Sequence, residues 1–147
     1  MAAIEKEDRL ADAKRQGAAQ FESIREMVEA LRAAELKTRE DMDSGGNVDE
    51  ARERIQEDAL SVEVRSGWYV PGACDADTKP AEFCILLCTG GPACRIIGEL
   101  DEYGQPVEAN IEVQDWFQPW TELRHYTTCE DAREILLEYC RQFYFGE

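Results

Sequence analysis

The chain has 147 residues, with 32 acidic against 16 basic side chains, a formal net charge of −16 and a pI near 4.4. Hydrophobic residues make up 44%, enough for a core in a domain of ordinary size, so wholesale disorder is excluded. The acidity argues against direct binding to nucleic acid or to anionic membranes, because both need an excess of Lys and Arg on the docking face. Its partners are expected among basic proteins, cations or neutral molecules.

The chain opens with charged residues, Glu5, Lys6, Glu7 and Asp8, and shows no apolar segment of secretory type. Its longest apolar stretch, Cys84 to Cys88, is far short of the roughly 20 residues that span a bilayer. A cytoplasmic location is the expectation. The character of the sequence changes near Leu60, since every proline, cysteine and tryptophan lies beyond it. Two regions are therefore expected, a helical one over 1–60 and an α+β domain over 61–147.

In the first region Leu10, Ala13, Gly17, Phe21, Ile24, Val28, Leu31 and Ala34 recur every three or four residues among strong helix formers. The pattern predicts one helix from Ile4 to Met42, roughly 58 Å long at 1.5 Å per residue. A stripe of that length needs a partner helix or a second chain, and Leu10, Phe21, Ile24, Val28 and Leu31 are the expected seam of a homodimer. Ser44-Gly45-Gly46-Asn47 ends the helix. Asn47 is the expected N-cap of a second one, with Glu50 as the capping-box acid and Leu60 as its end, making an αα-hairpin.

Beyond Leu60 a small antiparallel sheet of about four strands is expected. Val62 and Val64 alternate with Glu63 and Arg65 in a strand placed over Ser61 to Val70. Glu82 to Cys88 and Ala93 to Leu100 flank the turn Thr89-Gly90-Gly91-Pro92. After a second turn at Asp101 to Pro106, Val107, Ala109, Ile111 and Val113 alternate with Glu108, Asn110, Glu112 and Gln114. One face of this sheet is therefore apolar and the other solvated. Residues 71–81 form the expected loop. A last helix, Cys129 to Phe143, carries the T-x-x-E signature Thr127 to Glu130 and covers the sheet with Ala132, Ile135, Leu136, Tyr139 and Cys140. The aromatic tail Phe143-Tyr144-Phe145 is expected to pack.

No P-loop, dinucleotide fingerprint, HExxH, EF-hand loop or nucleophile elbow occurs. No catalytic residue, cofactor site or metal site is assigned, and the chain is expected not to be an enzyme. The alternatives are a thiol nucleophile, Cys129 or Cys94, with the single histidine His125, and a weak cation site at Asp75 and Asp77. The six cysteines read as free structural thiols in a reducing compartment, with zinc or a disulfide as the other readings. If Cys84 to Cys88 is a strand, Cys84, Leu86 and Cys88 share one face.

Two constellations suit recognition. The rings Trp116, Phe117 and Trp120, with Trp68 and Tyr69, either close the end of the core or form a binding hot spot. The acids Glu99, Asp101, Glu102, Glu108, Glu112, Glu130, Asp131, Glu134 and Glu138 belong to the α+β part, which has 16 acids against 6 bases. They read either as solubilising charge or as a surface that imitates a phosphate backbone.

In size, acidity and the absence of catalytic motifs the chain resembles the small α+β proteins that phages and mobile elements encode against host defences, anti-CRISPR proteins among them. The segments Ser61-Val62-Glu63-Val64-Arg65-Ser66-Gly67-Trp68 and Val113-Gln114-Asp115-Trp116-Phe117-Gln118-Pro119-Trp120 look similar to stretches of phage-type proteins. That resemblance implies a stoichiometric inhibitor that binds a nuclease complex and blocks its DNA channel or its recruitment step. Such an inhibitor acts in the host cytoplasm, with Trp116 and Trp120 as anchors beside the acids and a basic, nucleic-acid-handling protein as partner. The alternative is a dimeric adaptor that displays the sheet as a head.

Overall fold

The computed structural model describes residues 2–40, 45–73, 78–89, 92–115, 118–124, 126–127 and 130–146, with side chains from residue 11 onward apart from 40, 45 and 46. Helix α1 spans Ala2–Glu40 and α2 Gly45–Asp58. Strands β1 Ser61–Ser66, β2 Pro80–Cys88, β3 Ala93–Leu100, β4 Pro106–Gln114 and β5 Thr121–Glu122 follow, and α3 Ala132–Cys140 closes the chain. The strands form one antiparallel meander in sequence order, with every helix on the same side, so the fold is α+β.

The stripe on α1 is buried as its spacing dictates. Ala13, Phe21, Ile24, Val28 and Leu31 lose all exposure, and Met27 and Ala34 nearly all. What covers them is the chain itself. Ile55 of α2, the inner residues Ile85, Ile96, Ile111 and Val113 of the sheet, and Ile135, Leu136 and Tyr139 of α3 belong to the same cluster. Phe21, Ile24, Val28 and Leu31 are therefore not available as a dimer seam, and the side chain of Leu10 lies outside the described residues. The reason is topological. A helix too long for its hairpin partner lies across a sheet whose apolar face needs a cover, so each satisfies the other.

The composition change at Leu60 thus marks the passage from helical layer to sheet layer, both contributing to one core. Gly17 sits where α1 approaches the sheet layer: a Cβ there would come within 2.7 Å of both Leu123 and Val113. Polar ties join the helices. The hydroxyl of Tyr139 donates to Asp58 at 2.8 Å, and the Arg32 guanidinium of α1 binds Glu138 of α3 at 2.6 Å.

Several expected boundaries move. Helix α2 begins at Gly45, so Asn47 lies inside its first turn and does not cap it. The first strand ends at Ser66, four residues early, and leaves Trp68, Tyr69 and Val70 exposed beyond it. Helix α3 begins at Ala132 with Asp131 at its N-cap position and no side-chain cap bond, so the T-x-x-E signature does not start it. Asp131 faces Arg32 of α1 at 3.7 Å. The end at Cys140 reflects two i→i−3 bonds, Gln142 to Tyr139 and Phe143 to Cys140, which tighten the last turn. In the tail Phe145 is buried against Phe83 and Phe143 packs on Tyr139, while Tyr144 stays exposed. The fifth strand, absent from the sequence reading, has two residues, too few for alternation to register.

Candidate functional site

The sheet has a helical side and an open side. Cross-strand register lays the open side out in rows, with neighbours about 4.8 Å apart across strands and rows about 7 Å apart along them. One row is Arg65–Glu82–Glu99–Glu108, the next Glu63–Cys84–Ile97–Asn110, and the third Ser61–Leu86–Arg95–Glu112–Glu122. Half-buried Cys84 and Ile97 make an apolar floor between the charged rows, and a shallow cavity of about 420 Å³ lies over it.

Ion pairs sort these acids. Arg65 binds Glu82 and holds its carboxyl below the usual range. Arg95 binds Glu112 at 2.6 Å while its guanidinium stacks 4.1 Å from the centre of the Trp120 ring. Arg124 binds Glu122 at 3.0 Å. Glu63, Glu99 and Glu108 are exposed and have no cationic partner among the described residues. The register also sets Glu82 opposite Glu99, and Glu99 opposite Glu108. Like charges directly across strands repel, so this arrangement costs the fold some stability.

The expected partner-binding residues thus divide. Glu99 and Glu108 stand free on the open face. Glu112 and Trp120 share that face, joined through Arg95. Asp101 is occupied by the β3–β4 turn, where its Oδ1 accepts the backbone N–H groups of Tyr103 and Gln105, each at 2.9 Å, while Glu102 is exposed at the tip. Glu130, Asp131, Glu134 and Glu138 lie across the sheet on the helical side, and Asp131 and Glu138 are bound by Arg32. A flat partner cannot touch both sets at once. Trp116 and Phe117 lie outside the described residues. Glu63, Arg65, Glu82 and Arg95 join the face although the sequence did not single them out together. The alternation in β1 was the signal for two of them, and register supplied the rest.

The thiols divide too. An irregularity between Leu86 and Cys88 turns Cys88 onto the core beside Cys94, while Cys84 stays on the open face, so the expected shared face of Cys84, Leu86 and Cys88 does not form. Cys84, Cys88, Cys94 and Cys140 are free, and among the described residues no three His, Cys, Asp or Glu side chains converge as a metal-binding group. Burial pushes the Cys94 thiol up to about 12, which removes the thiolate a nucleophile needs at neutral pH. His125, Cys129, Cys74, Asp75 and Asp77 lie outside the described residues. No described helix is long and apolar enough to cross a membrane.

Burial also raises Cys140 and Tyr139, the latter helped by its bond to Asp58. These groups stay neutral in the folded chain, whereas unfolded thiols ionise near 8.5. Their stabilisation is therefore complete below about pH 8.5 and is lost progressively as pH rises above it. The urea midpoint is expected to fall between about pH 8 and about pH 10, and an unchanged midpoint would contradict the assignment. Compared with family models, curated proteins and solved structures, the chain matches none.

Proposed function

We propose that the chain is a non-enzymatic binding protein whose open sheet face docks on a Lys/Arg-rich surface of a nucleic-acid-handling protein, occupying the place of phosphates. A nuclease complex of host defence, of CRISPR type, is the partner class this reading favours. One observation carries it: Glu82, Glu99 and Glu108 are aligned side by side on a face that no described helix covers, with one arginine at the end of the row. Solubility needs net charge, not neighbouring like charges. A face that repels itself when free gains most when a cationic surface neutralises it. Trp120, held by Arg95 beside the acids, supplies the ring that anchors such contacts.

The test is capture of a basic partner from effector complexes of defence systems, followed by competition with DNA. Binding is expected at one-to-one stoichiometry, with DNA displaced and affinity falling at least tenfold between about 0.05 and about 0.5 M salt. A complex that keeps its DNA, or whose affinity is unmoved by salt, would overturn the proposal.

A further inference from the structure

Strand β1 is the outermost strand of the sheet, and its free edge pairs with no other described strand. Edge strands are commonly blunted by proline, lysine or a covering element. The six residues Ser61-Val62-Glu63-Val64-Arg65-Ser66 contain neither proline nor lysine, their two charges, Glu63 and Arg65, are of opposite sign, and the one irregularity against β2 falls at the strand's end, between Arg65 and Ser66. The helical layer also stops short of them. Val62 and Val64 face the core side and remain 36% and 43% exposed, while Ile85 and Phe83, their neighbours on β2, are 0% and 3% exposed. Leu60, at the start of the strand, is 61% exposed. Unpaired backbone groups and an apolar strip thus lie open together. On the opposite face Glu63 has no cationic partner among the described residues, and Arg65 meets Glu82 on one side only.

We propose that a second copy of this chain pairs with this edge, β1 against β1, antiparallel about a two-fold axis through Val64. The charge pattern selects the register. An axis perpendicular to the sheet keeps both open faces on the same side, so paired residues must face the same way and the self-registers differ in steps of two. An axis through Glu63 sets glutamate against glutamate, and one through Arg65 sets arginine against arginine. The axis through Val64 sets Glu63 against Arg65 twice, Val64 against Val64 and Val62 against Ser66. Arg65 then lies between Glu82 of its own chain and Glu63 of the second copy, and the acidic faces join into one surface. This pairing stands on the edge strand alone and does not depend on the function proposed above.

A strand this short makes a contact at the small end of specific interfaces, so dissociation in the micromolar range is expected. Sedimentation of the full chain should show a concentration-dependent dimer. Glu63→Arg is expected to weaken it at least tenfold, and Glu63→Arg with Arg65→Glu to recover part of the loss. Val64→Cys, treated with oxidised glutathione, should give a disulfide between the two 64 positions, identified by mass spectrometry of the linked peptides. Their Cα atoms would lie about 4.5–5.5 Å apart, within bonding range. Val62→Cys should not cross-link, because its two copies would stand about 14 Å apart. A chain that stays monomeric at about 0.5 mM, a dimer that survives Glu63→Arg, or equal cross-linking at 62 and 64 would each overturn the pairing.

Discussion

Phe21→Ala is expected to destabilise the chain by about 3–5 kcal/mol, the cost of emptying a fully buried aromatic site. Against a total stability of about 5–15 kcal/mol that is a large share, and a fall of about 10 °C or more in the thermal midpoint should follow. Phe21 is enclosed where α1 meets the rest of the core, with its ring edge-on to Tyr126 at 5.0 Å. Phe21→Leu keeps much of the volume and should cost less than half as much. The measurement is thermal or urea unfolding at two protein concentrations. Because the site lies within one chain, the loss should be the same at both. A loss that grows on dilution would place Phe21 between copies and restore the helix-seam dimer.

The double reversal Glu99→Lys with Glu108→Lys should lower affinity for the captured basic partner by at least about a hundredfold, since two attractive contacts become repulsive. Glu130→Lys with Glu134→Lys, the same charge change on the helical side, should alter affinity by less than about threefold. The pair of variants decides which acidic set works, because both carry the same net charge. The first reversal also separates binding from mere solubility through a second readout. Lysine at 99 turns its repulsion with Glu82 into attraction, while 99 and 108 stay a like-charged pair, so stability should not fall while binding does. Equal loss of affinity in the two variants, or none in either, would count against the open face as the docking surface.

The composition and periodicity of the chain already specify much of this arrangement. Steps of three and four from Ala13 to Ala34 set the buried stripe of α1, and the alternation from Ala109 to Val113 set the inner face of β4. Both patterns are local and repeat over enough residues to outweigh single exceptions. The alternation also sent Glu108, Asn110 and Glu112 to the solvated face. Acidity was legible as a property of the whole chain, and its concentration beyond Leu60 as a property of one part.

What the sequence could not decide is what each surface meets, because that depends on residues far apart in the chain. The stripe of α1 reads as a dimer seam by its period alone, whereas the sheet and the other helices cover it, since periodicity reports an apolar face and not its partner. Glu138 reads from the sequence as part of an acidic recognition surface, whereas Arg32, 106 residues away, holds it. Glu82, Glu99 and Glu108 come from three strands, and only the register of β2, β3 and β4 lines them up. The value of −16 told that the chain repels polyanions. Tertiary structure decided which carboxylates are matched by arginines and which stand together unmatched, because ion pairing acts over a few ångströms while composition counts charges wherever they lie.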